Sequence, residues 1–348
     1  MMRTLAIAGF VGISCALVLP VEGALVWRPG EGWTDESGTE ISASSSKEQL
    51  AAAKRLEGEE NYKGARKAYA NLVRRWPLSF YAHEAQFGLA RMEEKQGDFL
   101  QAYNSYQKLV EKYPNSVHFQ EALDREMAIG NLYLGGEPKR LWRIPLGSDY
   151  GKAVEIFEQV VKNAPYGRNA PDAMFHIGLA FEKQGKFNEA VASYNRLIDK
   201  YPGSPLVDDA MYQIGFTWKL ASKKPEYDQS AAQKAIEGFQ DFMVRFPNSD
   251  KVVAAEEHVD SLTERRTEGA YEVAKFYEKQ GNKKAAYIYY NEVVRTMPDS
   301  DVAKKAQEKI SELREAVEGE QAVQNAKKAK PVTSSEGPSL SSNPADQL

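Results

Sequence analysis

The chain has 348 residues, 42% of them hydrophobic, and a formal net charge of −4 at neutral pH. A phosphate-backbone binder is usually basic, so no nucleic-acid partner is expected. The single cysteine, Cys15, lies in an N-terminal apolar segment, which excludes an intramolecular disulfide and leaves no thiolate chemistry in the rest of the chain.

Residues 1–23 read as a secretory signal: Arg3 gives a positive start, residues 5–21 are almost wholly apolar, and Val21-Glu22-Gly23 places small residues for cleavage before Ala24. Two other readings stay open. One is a retained membrane anchor, for which this run sits at the lower limit of length. The other is a lipoprotein signal ending at Cys15, against which the apolar run continues through Ala16 to Val21. Residues 24–46 are rich in Gly, Ser and acid and lack periodicity, so an extended or disordered arm is expected. Its Trp27 and Trp33 would cover the end of the first repeat or dock a partner.

From 47 to 328 one pattern recurs six times: an alanine, an aromatic four residues on, and a proline eight after that. The sets are Ala65/Tyr69/Pro77, Ala102/Tyr106/Pro114, Ala153/Phe157/Pro165, Ala190/Tyr194/Pro202, Ala235/Phe239/Pro247 and Ala286/Tyr290/Pro298. Leu72, Leu109, Val160, Leu197, Phe242 and Val293 stand at a further fixed offset. Spacings of four and seven put these side chains on one face of a helix. Proline then ends that helix, because it lacks an N–H and its ring clashes with the preceding turn. Serine follows two residues later in five sets, which suits the N-cap region of the next helix. Gly97, Gly185 and Gly281 fall between helices, where a left-handed residue is needed.

A helix pair of about 34 residues is the tetratricopeptide length. One pair cannot bury its own apolar face, so pairs must stack. The expected fold is all-α: an α-α superhelix, a tetratricopeptide-repeat solenoid of about six helix pairs, closed by a capping helix at 302–328. Two insertions interrupt it. The one near 135–149 is broken by Gly and Pro, and its Lys139, Arg140 and Arg143 alternate with Leu141, Trp142 and Ile144. It either packs Trp142 on its own helices or forms a basic, aromatic contact site. The other insertion lies near 222–230. Residues 329–348, rich in Ser, Pro and Gly, read as a disordered tail.

No catalytic motif is present. His83, His118, His176 and His258 stand singly, with no second ligand at helical spacing, and there is no Gly-x-Ser-x-Gly elbow or Gly-rich phosphate loop. No catalytic residue, cofactor site or metal site is expected, and outside the repeats there is no room for a catalytic domain. What remains is partner binding.

The most specific stretch is 246–300. It contains Phe246-Pro247-Asn248-Ser249, Leu262-Thr263-Glu264-Arg265, Tyr271-Glu272-Val273-Ala274-Lys275-Phe276-Tyr277, Gln280-Gly281 and Met297-Pro298-Asp299-Ser300. With the secretory signal and the repeats, this resembles the BamD-like (YfiO/ComL) family of outer membrane protein assembly factors. The resemblance implies a non-enzymatic periplasmic scaffold at the inner face of the outer membrane. It implies that Arg265, with Arg266 beside it, docks the POTRA region of the barrel insertase alongside other assembly-machinery subunits. It also implies that the N-terminal repeats receive unfolded outer membrane proteins, and that the chain is membrane-peripheral through its partners or through a lipid anchor. The competing reading of Arg265 and Arg266 is a solvated helix face. Two features depart from the family: its lipidated cysteine directly follows the signal, and it has about five repeats. The alternative function is a Tol-linked periplasmic adaptor of the CpoB/YbgF kind. That family carries an N-terminal coiled coil, and residues 24–46 show no heptads.

Overall fold

The structure is a computed structural model and describes residues 26–28, 32–34, 40–136, 138–141, 144–223 and 228–328. The signal, Cys15, the C-terminal tail, Trp142 and Arg143 lie outside the described residues. The chain forms two compact units, Met1–Glu189 and Ala190–Leu348.

In the first unit, β1 (Val26–Arg28), β2 (Gly32–Thr34) and β3 (Glu40–Ser42) form a small antiparallel sheet in that order. The described residues of the arm are therefore extended strands, with Trp27 opposite Trp33 in the register of the ladder. The sheet leads into α1 (Ser46–Gly58) and α2 (Tyr62–Arg75). The Ala43 N–H donates to Gln49 Oε1 at 2.7 Å, and β3 packs on α2. Next come α3 (Ala82–Lys95), α4 (Phe99–Lys112), α5 (Phe119–Leu134), a hairpin of β4 (Pro138–Leu141) and β5 (Ile144–Ser148), then α6 (Tyr150–Asn163) and α7 (Ala170–Lys183). The hairpin is the 135–149 insertion. Helix α8 (Phe187–Lys200) leads into the second unit, which continues with α9 (Val207–Ala221), α10 (Asp228–Arg245), α11 (Val252–Lys279), α12 (Lys283–Thr296) and α13 (Asp301–Lys328). The second insertion falls between α9 and α10.

Within each unit, helices pack on their neighbours in sequence, from α1 through α7 and from α9 through α13. The repeat residues form the core. Ala65, Tyr69 and Leu72 of α2 cluster with Leu50, Ala53 and Leu56 of α1 and with Ala82, Ala85 and Met92 of α3. Ala102, Tyr106 and Leu109 of α4 meet Ala122, Leu123 and Ile129 of α5. The second unit repeats this with Phe239 and Phe242 against Ala255 and Leu262, and with Tyr290 and Val293 against Ala303, Ala306 and Ile310. Each large side chain buried this way contributes about 1.5–3 kcal/mol. Ala303, Ala306, Ile310, Leu313 and Val317 form a single apolar stripe along α13, as a capping helix requires.

The helix ends follow from local chemistry. Gly97 has φ of 77°, and its N–H donates to Glu94 O while that of Asp98 donates to Glu93 O, a Schellman stop. The serine after each proline works differently from a helix cap in most repeats. Ser79, Ser116, Ser204 and Ser249 accept from the N–H two residues on, forming turns ahead of the helix, and Ser300 alone of the five caps a helix directly, through Ala303 N–H. Gly88 of α3 lets α2 approach: a Cβ there would lie 2.5 Å from Cζ of Tyr69. Gly130 of α5 plays the same part for Phe157, at 2.6 Å from Cε1.

Candidate functional site

One cluster recurs where helices meet. The Tyr69 hydroxyl donates to Glu57 at 2.6 Å, and Arg91 of α3 pairs with the same carboxylate. Tyr106 donates to Glu94 at 2.8 Å, with Arg125 of α5 at 3.4 Å from it. Tyr290 donates to Glu278 at 2.7 Å, with Lys309 of α13 at 3.2 Å. Burial, and then the neighbouring carboxylate, pushes all three tyrosines far above their ordinary range, so each hydroxyl stays a donor. Burial works against the Glu278 charge, but the Tyr290 hydroxyl and the Lys309 ammonium together hold that carboxyl below its usual range. In sequence the signal is a glutamate twelve residues before the tyrosine, at Glu57, Glu94, Glu182 and Glu278, a period that the reading of alanines and prolines passed over.

Two cavities open on these clusters. One, of about 300 Å³, is lined by Glu57, Tyr69, Phe87, Gly88, Arg91 and His118 among others. The second, of about 400 Å³, is lined by Tyr271, Lys275, Glu278, Lys279, Tyr290 and Lys309. In the first, Glu57 pairs with Arg91, and in the second, Glu278 pairs with Lys309. Among the described residues no group of His, Cys, Asp or Glu is arranged to hold a metal ion.

Arg265 and Arg266 sit in the middle of α11, just past its buried Leu262. Arg266 faces inward: its guanidinium donates to Gln233 of α10 and stands 4.0 Å from Glu292 of α12, bridging two helices. Arg265 is exposed and donates to Ser222 Oγ at 3.0 Å, just beyond the C-terminus of α9. Lys219 and Lys223 are its electrostatic neighbours there. Burial, followed by repulsion from Lys223 and Arg265, lowers the Lys219 ammonium from its ordinary value. Lys219 Nζ lies 2.7 Å from Nδ1 of His258, and Tyr212 Oη lies 3.3 Å from Nε2. Burial and then the Lys219 charge lower the His258 pKa, so the imidazole is neutral and its Nδ1 accepts from Lys219. The result is a cationic cluster at a helix C-terminus, where the helix dipole stabilises positive charge, and its exposed member is Arg265. Lys139 and Arg140 lie on β4, and Trp142 and Arg143 fall outside the described residues. The hairpin residues belong to the first unit, and the arginines of α11 to the second.

One buried group has no counterpart in the other repeats. Twelve residues after each proline stand Leu89, Ile177, Ile214, Val259 and Ile310, but in the second set the residue is Glu126. Its side chain on α5 is fully buried, and neither carboxyl oxygen has a hydrogen-bond partner among the described residues. Burial, helped by the charge of Glu111 on α4, pushes its pKa up to about 8.

Stacked helical pairs with this alanine, aromatic and proline signature define a tetratricopeptide-repeat protein, and the tetratricopeptide-repeat profile matches residues 50–117. The YfiO profile, described as "Outer membrane lipoprotein", matches residues 146–329, more than half of the chain. The chain belongs to this outer membrane lipoprotein family. Curated relatives include the outer membrane protein assembly factor BamD of Caulobacter vibrioides, 23% identical over 146 residues, or 42% of this chain and 48% of that one. The BamD of Neisseria meningitidis serogroup B is 28% identical over 151 residues, 40% of this chain and 55% of that one. The chain thus spans about half the length of the curated relatives it matches. Among solved structures, MamA from Desulfovibrio magneticus RS-1 is 18% identical, covers 60% of this chain and 98% of its own, and gives a TM-score of 0.31. Among the described residues, no helix is long and apolar enough to cross a membrane.

Proposed function

We propose that this chain is a non-enzymatic periplasmic scaffold in outer membrane β-barrel protein assembly, held at the inner face of the outer membrane. Its α9–α11 region docks the POTRA region of the barrel insertase, and the N-terminal repeats present their surface to unfolded barrel proteins. The observation that carries this reading is the match to the outer membrane lipoprotein family across residues 146–329, which enclose the Arg265 cluster, together with relatives named as assembly factors. The exposure of Arg265 and the cationic company of Lys219 and Lys223 suit an acidic docking surface. The scaffold role draws support from the Tyr–Glu–cation contacts that tie successive helices together.

The test is a titration of the purified chain with the POTRA domains of the insertase from the same cell. Binding should weaken with salt and fall by at least about tenfold on Arg265→Glu. Binding that survives Arg265→Glu and Lys219→Glu together would remove the docking site. Absence of binding, with Tol proteins bound instead, would replace the assembly role by the envelope-constriction adaptor.

A further inference from the structure

The turns that follow Pro77, Pro114 and Pro165 belong to the first unit, and their composition is unusual. Residues one and three places after the proline are Leu78 and Phe80, Asn115 and Val117, then Tyr166 and Arg168. Leu78 is 99% exposed, Phe80 82%, Val117 83% and Tyr166 97%. The same places in the second unit hold Gly203 and Pro205, Asn248 and Asp250, and Asp299 and Asp301. A lone exposed apolar side chain needs no explanation, but four on three successive turns form a stripe.

Contacts hold these turns to neighbouring repeats. Tyr113 Oη donates to Pro77 O at 2.9 Å, and Ser116 Oγ lies 3.1 Å from His83 Nδ1, which joins the first turn to the second. Asn163 Nδ2 donates to Gln107 Oε1 at 2.9 Å, and Asn169 donates to Asp124 at 2.8 Å, which ties the third turn to the second repeat. Within three residues of the prolines, these turns carry Arg74, Arg75, Lys112, Lys162 and Arg168 against one carboxylate, Glu111. Arg74, Lys112 and Lys162 are exposed; Arg75 folds over Trp76, and Arg168 pairs with Asp124. In the second unit the same windows hold Lys200, Arg245 and Arg295 against Asp199, Asp250, Asp299 and Asp301.

We propose that these turns of the first unit lie on an anionic lipid surface. Leu78, Phe80, Val117 and Tyr166 would enter the headgroup boundary, and the flanking lysines and arginines would meet lipid phosphates. Single side chains standing out from turns suit a yielding, flat surface. Neither cavity described above is lined by them. The inference is independent of the insertase reading.

The test uses the full chain with Cys15→Ser, carrying one environment-sensitive fluorophore on Phe80→Cys, Tyr166→Cys or, as a control in the second unit, Asp250→Cys. Vesicles of phosphatidylglycerol and phosphatidylcholine are compared with phosphatidylcholine alone. The proposal expects a blue shift and nitroxide-lipid quenching at positions 80 and 166, absent at 250 and reduced by Lys112→Glu with Lys162→Glu. A label at 80 and 166 that still reports water while the protein is vesicle-bound would overturn it, since attachment would then lie elsewhere. A shift that grows with protein concentration without vesicles would overturn it in favour of a second copy of the chain.

Discussion

Glu126 makes a quantitative demand on the fold. Its carboxyl is buried in α5 with no hydrogen-bond partner among the described residues, and burial pushes its pKa up to about 8 from the ordinary 4.5. In the folded chain it is therefore protonated at pH values where the unfolded chain has released the proton. Between these two values the folded state binds more protons than the unfolded state, so stability falls as pH rises. The contribution is fully present below the unfolded value and is lost by the time pH passes the folded value. Between pH 5 and 8 the loss amounts to about 3–4 kcal/mol. Glu126→Gln keeps the shape and removes the titration. The difference in unfolding free energy between the natural chain and this variant should shift by that amount across the range, in favour of the variant at pH 8. The shifts of Glu93, His118, His176 and His258 are common to both proteins and cancel in the difference. Urea unfolding followed by circular dichroism, with amide exchange on α5 to localise the effect, measures it. A difference that stays the same at pH 5 and pH 8 would mean that Glu126 is charged and solvated in the folded chain. Glu126→Leu, which restores the aliphatic residue of the other repeats, should be more stable than Glu126→Gln at every pH.

Gly88→Ala places a methyl against the buried ring of Tyr69, so urea unfolding should show a loss of about 1–3 kcal/mol. Glu278→Gln weakens the contacts to Tyr290 and Lys309 that hold α13, and amide exchange along α13 should quicken by an amount equivalent to about 1 kcal/mol. His258 has a folded pKa below its ordinary value of 6.5, first through burial and then through Lys219. The unfolded state therefore binds more protons near that value, and stability should fall as pH drops below about 6.5. His258→Gln should flatten that dependence for α9–α11, as read by amide exchange at pH 5 and 7.

The helices were legible because their determinants are local and repeated. Ala65, Tyr69 and Leu72 and their counterparts lie on one helix face, proline ends each helix, and Gly97 permits its stop. The three-stranded sheet of the arm was hidden because its strands are three residues long, too short for alternation to show. Glu126 was legible in principle, as the one acid in an aliphatic column, but only after all six repeats are aligned on their prolines. The Tyr–Glu–cation clusters combine partners from two or three helices, and spacing along one helix does not reveal these. Nor does sequence separate Arg265 from Arg266. Adjacent in the chain, they differ because α11 turns one toward Gln233 and Glu292 and leaves the other exposed beside Ser222.

If the chain serves outer membrane barrel assembly by docking the insertase at Arg265, the docked partner should be recoverable from native envelopes. The most direct measurement tags the C-terminus, solubilises native envelopes in mild detergent and identifies what is recovered in stoichiometric amount, with and without Arg265→Glu. A POTRA-containing barrel protein should come down with the natural chain and be lost in the variant. Recovery of Tol or peptidoglycan-synthesis proteins in its place, with no barrel insertase, would contradict it.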